Sequence, residues 1–475
     1  MMTVATVISH RYPCCLGHGP FSHTFEHFVN VMRDERDLPH WEHEDASLKL
    51  LDYLLADNNI QLEVYGLVSE VDVPFIKLLI QGIKPAAAWP ADVGRGESKR
   101  FLCDIVANKR NGLDVDKFGE WWSVPGGVDV LVLVLSFLSP LVTLSLVTAA
   151  DYFVRDSQSA MGAPPIVCDV NRIIASTRVC SVDGTLQVCY EEKLALQLLD
   201  LFKLRAWLHK FVYQHHTVNV IEEMICDALR LADPYFHLLG TTNGQNIRIS
   251  DAVDDVAIFS RMGDWILEVI EASHPIELAP ARAILRRLRS RQLYYPVHIP
   301  TNMTGSLGQL KEAQVKTAIL AQLPTGSNVA QCTADLLVHY ISIDYGSRDA
   351  SGQALNPIDR VCFFNPKLQG DTAAPLKRTM PALLMPQAFS EKLLYVYSRS
   401  DESHATLEGA YKAWRSLLSR KTETRTAEAS EALLTPIATG NQPSPRRAAQ
   451  RLQRFNSQAG GRRQGEALRK FASVA

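Results

Sequence analysis

Apolar residues recur at three- and four-residue spacing through the early part of the chain: Phe25, Phe28, Val29 and Met32; Leu48, Leu51, Leu54 and Leu55; Ile76, Leu79 and Ile80. A helix brings such positions onto one face. Residues 20–117 therefore predict a helical bundle, with loops marked by Pro39, Gly82, Pro85, Pro90 and Gly94. Helical patterning resumes over 151–293, most strongly in 194–216 and 218–231. Asn243-Gly244 reads as a loop tip, and 251–270 as a further helix capped at Ser250-Asp251.

Between 294 and 397 the period changes. Alternation in Val338-His339-Tyr340-Ile341-Ser342-Ile343 and in Val361-Cys362-Phe363-Phe364 predicts short strands. The fold class that follows is mainly α, a helical bundle with a small C-terminal α+β lobe. Past about 420 periodicity is lost. From Ser444 onward, Arg446, Arg447, Arg451, Arg454, Arg462, Arg463, Arg469 and Lys470 face Glu466 alone. This reads as a solvated, disordered basic tail, which fits a flexible terminus, nuclear import or contact with single-stranded nucleic acid.

One segment breaks the pattern. Residues 130–150 carry no charge and are rich in valine and leucine around Pro140. The run is long enough for a membrane-spanning helix. Its flanks argue against one, since Trp121, Trp122 and Asp129 on one side and Asp151 and Tyr152 on the other include no Lys or Arg cluster to set an orientation.

Composition changes little. The 475 residues, 47% hydrophobic and 21% charged with a net charge of −2, suit a globular protein of two to four domains or of one large domain with appendages. Nine cysteines without a CxxC pair exclude a disulfide framework or a zinc-finger array. The first residues lack a basic region followed by a long apolar one, so no signal peptide is expected. The expected setting is intracellular, nucleus or cytoplasm.

Candidate chemistry gathers in polar clusters. The stretch Leu16-Gly17-His18-Gly19-Pro20-Phe21-Ser22-His23 places two imidazoles across a Gly-Pro turn, and a helix starting there puts His23, Glu26 and His27 on one face. Alone, this reads equally as a capped helix with exposed histidines or as a phosphate or metal site. Further clusters are Trp41-Glu42-His43-Glu44-Asp45 and Lys109-Arg110-Asn111-Gly112-Leu113-Asp114-Val115-Asp116-Lys117. Arg205, His209 and Tyr213 follow at four-residue steps, with Gln214 and His215 beyond. If that stripe is buried its polar atoms need partners, which a phosphate would provide.

L-G-H-G-P-F-S-H, W-x-H-E, K-R-N-G-x-D-V-D-K, D-Y-F-x-R-D, R-x-x-x-H-x-x-x-Y-Q-H, I-R-I-S-x-A-x-D-D, and D-Y-G followed by N-P-I-D occur in that order. With them the chain resembles the sterile-alpha-motif and HD-domain deoxynucleoside triphosphate triphosphohydrolases of animals, from about Leu16 to Val396. The resemblance implies an HD-domain bundle in two parts, 16–118 and 151–293. Around these lie an atypical N-terminus (1–15), an apolar insertion (119–150), the α+β lobe (294–419) and the basic tail (420–475). It implies metal-dependent hydrolysis of a dNTP to a deoxynucleoside and inorganic triphosphate, with iron, zinc, manganese or magnesium as the divalent metal.

By motif, Asp116 matches a metal ligand, and His18, His23, Glu26 and His43 the catalytic group, with His23 the proton donor to the leaving oxygen. Lys117, Tyr152, Asp156, Arg205, His209, Tyr213 and Gln214 match substrate-binding positions. A tyrosine close to C2′ excludes ribonucleotides sterically. The resemblance further implies a homotetramer activated by GTP or dGTP and by dNTPs, with Asp169, Arg172, Lys193, His215 and Arg291 at those nucleotide sites. Glu191 stands where the pattern has arginine, and His216 where it has a phosphate-binding lysine.

The departures are specific. Where the family reads H-D-L-G-H-G, this chain reads Cys14-Cys15-Leu16-Gly17-His18-Gly19. An earlier histidine ligand, the base contacts and the sterile-alpha-motif domain have no counterpart in it. Residues 1–15 and about 119–150 read as missed exons and a retained intron, so that a mature transcript would join Phe118 to Asp151. The alternative from another class is a catalytically impaired homologue that binds nucleotide or nucleic acid.

Overall fold

The computed structural model describes residues 21, 23–114, 162, 169–240, 244, 246–299, 310–349, 351–367, 372–376, 381 and 384–434. The apolar run at 130–150 and the basic tail beyond Leu434 lie outside the described residues. Two compact units divide the chain, the first reaching Tyr411 and the second starting at Lys412.

The predicted bundle is present. Helix α1 (His23–Asp34) buries Phe25, Phe28, Val29 and Met32, the stripe that its spacing predicts. With α2 (His43–Asp57) it meets α6 (His216–Ala232), whose Ile225, Ala228, Leu229 and Ala232 share one core with it. A smaller core joins Leu51 of α2 to Phe75, Ile76 and Leu79 of α3 (Ser69–Gln81). Helix α4 (Val170–Ala175) and helix α5 (Ala195–Leu208) belong to another core. Helix α5 buries Leu198, Leu199, Leu201, Phe202, Leu204 and Leu208, which lie all round it, so it is sheathed by protein on several sides.

The sequence reading of 151–293 as helix requires correction. Residues 177–191 form a hairpin of β1 (Thr177–Val182) and β2 (Thr185–Glu191). Asp183 and Gly184 join them at φ 48° and 81°, the left-handed pair that a two-residue hairpin turn demands. A second hairpin pairs β3 (His237–Leu239) with β4 (Asn246–Arg248); of the expected loop tip, Asn243 lies outside the described residues. The predicted helix at 251–270 is three pieces: a 3-10 turn over Ile249–Asp254, a short helix Val256–Phe259 and α7 (Trp265–Ala272). Ser250 does not cap it, because its main-chain N–H and its hydroxyl both bond Asp233, at 2.7 and 3.0 Å. Asp255 caps the short helix instead, accepting from the N–H groups of Ala257 and Ile258.

Helix α8 (Ala279–Arg289) packs on α6. The α+β lobe then supplies β5 (Tyr295–His298), β6 (Leu336–Asp344) and β9 (Ser390–Ser398) in an antiparallel sheet of order β5-β9-β6. The expected strand at 361–364 exists as β7 (Cys362–Phe364), but it pairs in parallel with β2 and antiparallel with β8 (Ala374–Pro375). The hairpin in the helical half and the lobe thus share a sheet of order β1-β2-β7-β8. The last helix, α9 (Asp401–Leu434), continues past the point near 420 where periodicity fades.

Candidate functional site

Glu26 is the centre of the described site. It sits one turn into α1, three residues after His23, and the start of α2 brings His43 to the same carboxylate. His43 Nδ1 lies 2.8 Å from Glu26 Oε2, a hydrogen bond, and His23 Nδ1 lies 3.6 Å from the same oxygen. The two rings meet edge to face with centroids 5.3 Å apart. The side chains of His43 and Glu26 are 20% and 21% exposed and that of His23 is 75% exposed, so a half-buried pair presents an accessible imidazole.

The position of His43 is set by residues that motif reading passed over. Asn30, on α1, clamps the Trp41 peptide: its Oδ1 accepts from the Trp41 N–H at 2.8 Å and its Nδ2 donates to the Trp41 carbonyl at 3.0 Å. The Trp41 indole is buried edge-on against Phe25 and Phe259. Ring and peptide are both fixed two residues before His43. Among the sequence signals only the tryptophan of W-x-H-E hinted at this, and nothing marked Asn30.

Phosphate-binding candidates lie on α5 and its extension. Backbone bonding widens from α to π over His209–Tyr213, with the Gln214 N–H donating to the His209 carbonyl at 2.8 Å. Such π turns interrupt α-helices often at functional positions. His209 and Tyr213 meet edge to face at 5.3 Å. The stripe is half-buried, and Arg205 finds a protein partner: its Nη1 donates to the Asp344 carbonyl at 2.9 Å and lies 3.5 Å from that residue's Oδ1. Arg205 is thus already positioned by a protein partner, without a phosphate. Gly346, at φ +84°, passes so close that a Cβ there would stand 3.3 Å from Arg205 Nη1.

Positions matched to activator sites are partly engaged. Asp169 caps α4 by accepting from the Arg172 N–H, and both residues are exposed. Glu191 holds the Lys193 ammonium at 2.5 Å. His215 caps α6 through Nδ1 and stacks 4.0 Å from His216. Burial first, then the neighbouring His215 charge, lower the pKa of His216, leaving a neutral ring where the family pattern has a cation. Arg291 lies exposed in the turn after α8, at φ 60°. His18, Asp116, Lys117, Tyr152 and Asp156 lie outside the described residues.

The metal implied by the resemblance can be tested against the donors present. Cys14 and Cys15 occupy the positions of the family's His-Asp pair, so the family's ligand set does not fit this sequence. Among the described residues, His23, Glu26 and His43 offer ligand atoms all within 4.8 Å of one another, a two-imidazole, one-carboxylate set that could hold a cation.

No protein-family model matches the chain. It is similar to curated proteins named deoxynucleoside triphosphate triphosphohydrolase SAMHD1. The Homo sapiens protein is 34% identical over 398 residues, 81% of this chain and 56% of that protein, and the Bos taurus protein is 33% identical over 82% and 60%. The Dictyostelium discoideum homologue is 28% identical over 84% of this chain and 62% of its own length. The chain thus spans little more than half of the length of the relatives it matches. Across about four fifths of its own length, this chain is similar to the SAMHD1 deoxynucleoside triphosphate triphosphohydrolases.

Proposed function

We propose that the chain hydrolyses deoxynucleoside triphosphates to a deoxynucleoside and inorganic triphosphate. The observation that carries this reading is the Glu26 carboxylate shared by His43 and His23, within the part of the chain that resembles the HD-domain triphosphohydrolases. Water adds its oxygen to the α-phosphorus, the bond from that phosphorus to the 5′ oxygen breaks, and the 5′ oxygen takes a proton. His23 is accessible and supplies that proton; Glu26, fixed by His43, orients the ring. Arg205 holds the triphosphate by its planar fork, with His209, Tyr213 and Gln214 beside it on the same helix and its extension. His18, Lys117, Tyr152 and Asp156 belong to the same proposed site. So does Asp116, as a metal ligand, but because Cys14 and Cys15 replace the family pair, no step is routed through a metal.

A second reading is favoured by the 4.8 Å spacing: His23, Glu26 and His43 hold a divalent cation, iron, zinc, manganese or magnesium, and move no proton. Metal content of H23A separates the two, since the relay predicts no change and the cation site predicts loss of one equivalent. The rival of another class, an impaired homologue that only binds, rests on Cys14 and Cys15 and predicts a melting shift with dGTP but no triphosphate release. Guanine-nucleotide and dNTP activation through Asp169, Arg172, Lys193, His215 and Arg291, tetramer formation, single-stranded nucleic-acid contact by the basic tail and a nuclear location complete the proposal.

Triphosphate release from dGTP, resolved by anion exchange, tests it. Substituting His23 with alanine lowers the rate by about 10²–10⁴, the contribution of a positioned general acid. Unchanged turnover would sink the assignment.

A further inference from the structure

A cavity of about 180 Å³ lies among residues of α1, α6 and β6, lined by His27, Asn219, Glu222, Glu223, His339 and Tyr340. None of them belongs to the Glu26 relay. Glu223 Oε1 and His339 Nε2 stand 3.2 Å apart, yet that ring nitrogen is sealed from solvent and makes no hydrogen bond. The contact has the length of an ion pair without the alignment of a hydrogen bond. Buried polar atoms are normally satisfied, and one cation ligated by both groups would satisfy nitrogen and carboxylate together. Two adjacent ligands of a tetrahedral zinc, each about 2.0–2.1 Å from the metal, stand roughly 3.3 Å apart. The pair already has that spacing.

Charge points the same way. Two neighbouring carboxyl groups, Glu222 and Glu223, line the cavity, and no Lys or Arg is among its described lining residues. His27, exposed on α1 one turn beyond His23, lines the same cavity.

We propose that this cavity is a zinc-class divalent cation site, with His339 Nε2 and Glu223 Oε1 as preformed ligands and Glu222 and His27 completing the set. The cation would tie α1 and α6 of the bundle to β6 of the lobe. This site stands whether or not the chain is a hydrolase.

Full-length protein stripped by chelator is titrated with Zn²⁺ against a chromophoric chelator and with Co²⁺ read by visible absorption. The H43A variant retains the proposed equivalent; H339A or E223Q built on H43A loses it, together with its Co²⁺ band. H27A, at an exposed position, keeps the fold and weakens the same equivalent by about tenfold or more, which preserves the test if H339A unfolds. Equal Zn²⁺ stoichiometry and affinity in H43A with and without H339A, E223Q and H27A overturns the proposal, and so does a full-length chain that binds no Zn²⁺.

Discussion

Replacing Asn30 with alanine removes both hydrogen bonds that hold the Trp41 peptide, at 2.8 and 3.0 Å. Each such bond contributes about 0.5–1.5 kcal/mol net, so the variant loses roughly 1–3 kcal/mol, more if the freed N–H and carbonyl stay dry. The consequence for chemistry is larger than the loss in stability suggests, because Trp41 fixes the entry to α2 and so the reach of His43 to Glu26. A shift of about 1 Å in a reacting group can cost ~10²-fold in rate. Urea unfolding gives the first quantity and triphosphate release from dGTP the second. The decisive comparison is the double variant. If Asn30 acts through His43, N30A costs activity in the parent chain and little more once His43 is already alanine. Full, independent losses in N30A and H43A that multiply in the double variant would refute this chain of positioning.

Three further outcomes follow from particular contacts. G346A combines a φ of +84° with a Cβ 3.3 Å from Arg205 Nη1, so it destabilises by about 1–3 kcal/mol and weakens dGTP binding, read by urea unfolding and calorimetry. Asp227 is buried, accepts from the Tyr294 hydroxyl at 2.8 Å and holds Arg399 at 2.6 and 3.0 Å. D227A therefore leaves the partly buried Arg399 guanidinium with only the Ala334 carbonyl and the Tyr294 hydroxyl without its acceptor, and costs about 1–3 kcal/mol in the same unfolding assay. Asp104 has its carboxyl pushed up to about 6 by burial, which outweighs the nearby Arg110. A raised carboxylate pKa means the native state binds the proton more tightly than the unfolded chain, so this group's contribution to stability grows as pH falls from about 7 to 4. Relative to D104N, the parent chain should gain up to about 3 kcal/mol over that window; a difference that is flat or rises with pH contradicts it.

The early helices were legible because their information is local. Phe25, Phe28, Val29 and Met32 repeat at the helical period, and the same four residues are buried. The β1–β2 hairpin was legible in principle: Asp183-Gly184 between two runs rich in Val, Thr and Cys is a strong turn signal, lost when the surrounding region was read by its dominant helical period. Local pattern also misassigned the cap at Ser250, where a buried Asp233 from α6's end outcompetes the helix. Of the described site residues, Glu26 and His43 come together although 17 positions apart, and sequence grouped them only through a resemblance. Asn30 was invisible, because it acts on a main-chain group placed by tertiary packing, and the D-Y-G motif marked Asp344 without revealing its pairing with Arg205. The partner of Arg205 lies 139 residues away.

The central claim is that Glu26, shared between two imidazoles, serves phosphoester hydrolysis. It is tested most directly by measuring triphosphate and deoxyguanosine released from dGTP by the full-length chain and by E26Q. The glutamine keeps the side chain's shape but replaces the carboxylate shared by His43 and His23 with a neutral amide. We predict equimolar release of both products, and a fall of about 10²-fold or more in E26Q with the fold intact by circular dichroism. Equal turnover by the two proteins, or no release by the parent chain under any metal or nucleotide condition, would contradict it.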